Sequence, residues 1–223
     1  VADFPECEDG FVPCAVGVSN DGSGLFLFVQ GGADQDLFER HRSRGQWPRK
    51  ELMPEKRTFC LVQSNGSSLK RQYIEDCDFF FPLVDVFSDG SVILVDPPVR
   101  EDDEKNVLLF EPRTGKRLES SIFGDGIQDI AVDAEDRIWV SYFDEGVTGV
   151  GVGQHGLNCF GRDGQHLWRL PQDLMAAISL IDCYALNVSS SGIWLNTGSH
   201  LCGIDSNFGA TVAQASIYGG RRF

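Results

Sequence analysis

The chain has 223 residues, a formal net charge of −14, and 25 glycines against nine prolines. That length suits one all-β domain covering residues 1–223, and its ordinary apolar content excludes bulk disorder. No apolar run approaches the roughly 20 residues of a membrane helix, and the negative charge argues against nucleic acid or an anionic membrane as partner, because phosphate contact needs a positive face.

Taken in chain order, the first predicted strand ends in Ala15-Val16-Gly17-Val18 and is followed, across a polar turn, by Leu25-Phe26-Leu27-Phe28-Val29. An excursion over 31–57 precedes the third strand, Phe59-Cys60-Leu61-Val62, which meets a turn at Gly66 and an apolar residue three positions later, Leu69. The same order returns as Leu83-Val84-Asp85-Val86, Val92-Ile93-Leu94-Val95, Val107-Leu108-Leu109-Phe110, Gly115 and Leu118. A third copy runs Ala131-Val132-Asp133-Ala134, Ile138-Trp139-Val140, Leu157-Asn158-Cys159-Phe160, Gly164 and Leu167, with a glycine-rich excursion over 144–156. Residues 171–181 read as one short helical turn capped by Asp173, or as an apolar extended segment. The fourth copy is Ala185-Leu186-Asn187-Val188, Ile193-Trp194-Leu195, Leu201-Cys202-Gly203-Ile204, Gly209 and Val212.

Four strands recurring at roughly 40–50 residues predict β-propeller blades, each a four-stranded antiparallel sheet. The predicted blades span about 11–74, 79–122, 126–170 and 182–217. Asp85, Asp133 and Asn187 read as turn-setting residues that bond their own backbone two residues on, with Gly17 supplying positive φ in the first copy. Trp139, Trp168 and Trp194 read as packing between blades.

The units 131–140 and 156–168 resemble the blade repeats of NHL-type and TolB-like propellers, and the stretches 139–146 and 182–187 resemble segments of uncharacterised bacterial propeller proteins. The resemblance is architectural and implies no activity, since such folds host many unrelated functions. It implies a ring that usually closes with six or seven blades, whereas four are present here. The chain is therefore expected either as a four-bladed propeller or as part of a larger ring, a piece of a longer polypeptide or a protomer completed by another copy.

Cysteine usage bears on compartment. Cys60 and Cys202 share a third-strand position, Cys159 lies one residue further along, Cys14 and Cys183 fall on first strands, and Cys7 and Cys77 fall in predicted loops. Repeated strand positions in separate blades point into separate cores, too far apart for a disulfide. The five strand thiols therefore read as small buried hydrophobes, and the odd total of seven with no framework spacing favours a reduced, cytoplasmic protein.

Propellers bind ligands at the central channel or across one face, so the residues entering each first strand are candidates: Gln128 and Asp129 in blade three and Asp182 in blade four, joined by Asp144 and Glu145. Clustered acids of this kind are candidate Ca²⁺ ligands, although no loop shows alternating acid spacing. His155 and Cys159 stand four apart, but nothing completes a zinc set, and Gly149-Val-Gly-Val-Gly153 lacks the spacing of a dinucleotide fingerprint. The excursion over 40–57 carries seven Lys/Arg against two Glu, an excess of five that leaves −19 for the rest. There, Trp47 with Arg44 and Arg49 is a candidate surface for an acidic protein partner. Two functions remain: a non-catalytic scaffold for a protein or small molecule, or an enzyme of the sugar-lactonase or streptogramin-lyase type with a divalent metal in the channel. Blades one and two place Pro13, Phe80 and Phe81 where such an enzyme needs polar groups, which favours the scaffold.

Overall fold

Strands such as Val92-Ile93-Leu94-Val95 are apolar at every position, the pattern of a strand buried on both faces. In the computed structural model, which describes residues 5, 7–31, 56–97, 99, 104–189 and 192–214, this is how they are used. Blade one consists of β1 (Phe11–Val18), β2 (Gly24–Gln30), β3 (Arg57–Ser64) and β4 (Leu69–Cys77). Blade two consists of β5 (Leu83–Val86), β6 (Val92–Val95), β7 (Val107–Phe110) and β8 (Arg117–Ser121). Blade three consists of β9 (Ile127–Val132), β10 (Ile138–Tyr142), β11 (Leu157–Phe160) and β12 (His166–Arg169). Blade four consists of β13 (Ala185–Ser189), β14 (Gly192–Asn196), β15 (His200–Ile204) and β16 (Ala210–Gln214). Each is a four-stranded antiparallel sheet with its strands in sequence order. The fold is four propeller-like blades.

Alternation along the second strands divides the side chains between neighbours. Leu25 and Leu27 of blade one meet Val92 and Leu94 of blade two in one core. Ile93 and Val95, on blade two's other face, meet Ile138 and Val140 of blade three in a second. Trp139 then faces Ile193 and Leu195 of blade four in a third. Among the described residues no buried cluster joins blade four to blade one. Blade one's remaining face carries Phe28, Cys60 and Val62, covered by Cys7, Phe11 and Phe26 of the same blade and its leading segment. On blade four Trp194 lies on the face turned away from blade three, over Gly203, where a Cβ would come within 2.8 Å of the indole.

In blades two and three the repeated glycine between third and fourth strands is explained by this stacking. Gly115 sits at φ +64°, and a Cβ there would lie 1.9 Å from the Tyr73 carbonyl oxygen of blade one. At Gly164 it would lie 2.5 Å from Ser121 Oγ of blade two. The corresponding turn of blade four places Phe208 flat against Trp168 of blade three, ring centroids 5.6 Å apart. Each such turn rests on the outer strand of the preceding blade. Gly66, the blade-one counterpart, meets nothing within 4 Å.

Several expectations change. The first-to-second-strand turn is a five-residue unit closed by the same backbone bond in three blades, Ser19 N to Ser23 O, Phe87 N to Ser91 O and Asp133 N to Arg137 O. Gly17 and Asp85 lie inside strands instead, paired with Leu25 and Ile93. The residue of blade three that matches Asp85 is Ala131, paired with Trp139. The positive φ falls on Gly22, Gly90 and Asp136. The excursion over 144–156 holds a short helix, α1 (Asp144–Thr148), and a 3₁₀ turn (Val152–His155). The helix α2 (Gln172–Ala177) starts at Pro171 with no side-chain cap, so Asp173 sits in its first turn and is not the cap. Trp194 is 37% exposed, unlike Trp139, and so does not pack between blades.

The cysteines also move. Cys77 ends β4 and is buried, Cys14 is only half-buried, and Cys183 precedes β13. Cys159, Cys183 and Cys202 share the core between blades three and four, because the one-residue offset of Cys159 turns it toward blade four. Among the described residues no helix is long and apolar enough to cross a membrane.

Candidate functional site

The first strands of all four blades converge at the end where the five-residue turns lie. Val18, Ser19, Asp85, Ala131, Leu186 and Asn187 surround a cavity of about 30 Å³ there. That is room for one or two waters, against the several hundred Å³ of a small-molecule site. Asp85 is buried beside it. Its Oδ1 accepts the Val86 amide and its Oδ2 accepts the Val132 amide of blade three, both at 2.8 Å. Sequence spacing hid this role: Asp85 ties two first strands together across the blade boundary, which only tertiary placement reveals.

The turns around the cavity are locked to one another. Ser88 donates its amide and hydroxyl to the Asp136 carboxylate at 2.8 and 2.7 Å, joining blade two to blade three. Arg162, from blade three's outer turn, reaches back to Asp89 at 2.8 Å and Ser91 at 2.7 Å, and lies over the Phe87 ring. Asp133 Oδ1 accepts the Glu135 and Arg137 amides, the expected turn-setting role, while its Oδ2 accepts the Arg137 guanidinium at 2.6 Å and the Trp139 indole at 2.8 Å. A depression of about 490 Å³ on this face is walled by polar turn residues including Asn20, Lys70, Ser88 and Asp89. Small-molecule pockets are mostly apolar in lining.

The predicted site residues belong to the opposite end of the blades. Gln128 is exposed on β9 and Asp129 half-buried beside it, with Asp129 Oδ1 accepting the Ile130 amide at 2.9 Å. Asp144 and Asp182 do come together: the Asp144 amide donates to Asp182 Oδ1 at 2.8 Å, and Asp144 Oδ1 accepts the Glu145 amide at 2.9 Å. These carboxylates set the start of α1 and its junction with blade four. Gly126 packs against Gly146 beneath them, so closely that a Cβ would lie 2.2 Å from the Gly146 nitrogen. Among the described residues no group of three or more His, Cys, Asp or Glu is placed to hold a metal ion. Trp47, Arg44 and Arg49 lie outside the described residues.

The thiols and imidazoles are equally engaged. Burial pushes the Cys159 and Cys183 thiols up to about 12, and Cys183 Sγ donates to the Gly156 carbonyl at 3.1 Å. His166 Nε2 contacts Asn158 Oδ1 at 2.9 Å, and burial, then Arg169 and His155, lower its pKa. These are not activated nucleophiles or bases. Arg57, counted in sequence with the basic excursion, is instead buried at the start of β3 with its guanidinium 4.2 Å over the Phe80 ring.

Comparison with known proteins adds little beyond shape. No family model and no curated protein matches the chain. Among solved structures, a catalytically inactive virginiamycin B lyase from Staphylococcus aureus, crystallised with quinupristin, is similar at 10% identity and a TM-score of 0.47, over 96% of this chain and 73% of that one. The extracellular domain of a putative hybrid two-component system from B. thetaiotaomicron is similar at 9% identity and a TM-score of 0.44, over 96% of this chain and 28% of that one. The description of the fold rests on the four sheets themselves.

Proposed function

We propose that the chain is a non-catalytic propeller scaffold that binds protein, and that its binding surfaces are the face of blade four around Trp194 and the exposed part of blade one's face around Val16 and Val18. The observation that carries this reading is the fate of one repeated position. Trp139 and Trp194 are each the second-strand residue that faces the next blade, and Trp139 is fully buried while Trp194 is 37% exposed. Blade one has the complementary surface: Val16 and Val18 are 66% and 52% exposed beside Phe26, on the face that in blades two, three and four meets a preceding blade.

A second copy of the chain is the occupant that fits both surfaces. Its blade one brings Gly66 toward β16 as Gly115 is brought to Tyr73 and Gly164 to Ser121. All five residues of β16 are exposed and available for that contact. Such a contact is head-to-tail, and it closes into a ring or extends into a filament according to the rotation between copies. The water-sized channel end and the engagement of the candidate acids in turn hydrogen bonds support the non-catalytic part of the reading.

Complementation tests it. A copy carrying Trp194→Glu keeps an intact blade-one face, and a copy carrying Val16→Glu keeps an intact blade-four face. Each alone should be monomeric by light scattering, and an equimolar mixture should form heterodimers. A mixture that stays monomeric, or single variants that associate as the unmodified chain does, would overturn the proposal.

A further inference from the structure

Cys60 lies in the middle of β3 on the face of blade one turned away from blade two, in register with Phe28 on one side and Tyr73 on the other. Among the described residues no other blade covers it, yet it is fully buried. The chain's own leading segment provides the cover, with Cys7 and Phe11 packed against Phe28, Cys60 and Val62. Two contacts to Tyr73 hold that segment in place and a third bond shapes its turn. Tyr73 Oη donates to Glu8 Oε1 at 2.6 Å, the Phe11 ring meets the Tyr73 ring edge-on at 6.1 Å, and the Phe11 amide donates to the Glu8 carbonyl at 3.2 Å. Glu8 is thereby fixed over the cross-strand neighbour of Cys60. The adjacent residue, Cys7, is packed against the cluster that holds Cys60.

The two thiols differ in accessibility, so an oxidant meets Cys7 first. Burial, and then the contact with Cys7, push the Cys60 thiol up to about 12, so it stays protonated. Cys7 is half-exposed, within reach of a solute. The remaining cysteines have no comparable arrangement: Cys77, Cys159, Cys183 and Cys202 are all buried in cores between blades, and Cys14 directs its thiol at the Phe80 carbonyl, 3.8 Å away.

We propose that Cys7 and Cys60 are a redox-active pair that closes to a disulfide on exposure to a peroxide, clamping the leading segment onto blade one. The Cys7 thiolate attacks one peroxide oxygen, the O–O bond breaks, and Cys7 becomes a sulfenic acid while hydroxide leaves and takes up a proton. The Cys60 sulfur then attacks the Cys7 sulfur. Its own proton and the departing hydroxyl leave as water, and the S–S bond forms. Two thiols are oxidised by two electrons in total, one peroxide is reduced, and two waters result. A reducing thiol reverses the bond by exchange. This inference does not depend on self-association of the chain.

The test uses the full chain with hydrogen peroxide. Thiols titrated in denaturant should fall from the seven of the sequence to five, and dithiothreitol should restore them. Cleavage after Asp and Glu separates Cys7 from Cys14 at Glu8 and Asp9, so non-reducing peptide mapping should return Cys7 joined to Cys60. In Cys60→Ser, Cys7 should stop as a sulfenic acid trapped by dimedone, and in Cys7→Ser the count should stay at six. A count that remains at seven, a bridge between other cysteines, or an oxidised Cys7 beside a free Cys60 would overturn the proposal.

Discussion

Trp139 and Trp194 are written into the same place in successive blades, each following an isoleucine on the second strand and each turned toward the next blade. Trp139 is sealed by blade four, by Trp168 and Phe208 at 5.6 and 6.0 Å, and by a hydrogen bond from its indole to Asp133. Trp194 has the same sheet beneath it and no blade above it among the described residues. The repeat therefore encodes a surface for a neighbour, and whether that surface becomes core depends on the neighbour's presence. Gly115 and Gly66 repeat the lesson from the other side of the blade, one wedged against a carbonyl and the other facing open space.

The largest difference between the two regions should appear on truncation. Trp139→Ala should cost about 3–5 kcal/mol in urea unfolding, as expected when a large aromatic leaves a closed core. Trp194→Ala, measured at concentrations where the chain is monomeric, should cost under about 1 kcal/mol. Equal costs would break the comparison.

The two glycines should separate next. Both lie at positive φ, so alanine at either strains the backbone by about 1–2 kcal/mol. Gly115→Ala must in addition displace the Tyr73 carbonyl and should cost clearly more than Gly66→Ala in the same unfolding measurement. Asp85 and Asn187 sharpen the contrast at a smaller scale. Asp85→Ala leaves the buried Val132 amide unpaired and should lose about 1–3 kcal/mol. Asn187, which lines the same small cavity from blade four and shares Trp194's face, should tolerate alanine.

The smallest effect is a pH dependence. The Ser19 hydroxyl, and then the Ser23 amide, hold the Asp21 carboxyl below the usual carboxylate range. A depressed folded-state pKa means that this stabilisation is complete above the unfolded value, about 4, and is lost as pH falls through the folded value. The melting temperature should decline below about pH 4, and Asp21→Asn should remove a small part of that decline, because the group is largely solvent-exposed. An unchanged pH profile in the variant would remove Asp21 from the account.

Strand identity and blade order were legible in sequence because both-face burial leaves unbroken apolar runs, and because a glycine at positive φ recurs in the turn after the third strand of blades one, two and three. Residue roles were less legible. Asp85 and Asp133 look alike as Val-Asp pairs, yet one lies in a strand and bridges two blades while the other starts a turn, a distinction that depends on register two residues apart. Cys60 and Cys202 share a strand position, but among the described residues no blade packs on the face of blade one that holds Cys60, and the segment around Cys7 covers it. The candidate acids stand out in sequence because they flank the strands of blades three and four. In three dimensions Asp144 and Asp182 meet, and they do so to accept backbone amides.

The most direct measurement is the solution mass of the unmodified chain by multi-angle light scattering across a range of concentrations. The account predicts a mass rising above the 24.6 kDa of one chain, with Trp194 becoming less accessible to a soluble fluorescence quencher as it does so. A mass that stays at that of one chain at every concentration, with a single cooperative melt, would contradict it and leave a self-sufficient set of four blades.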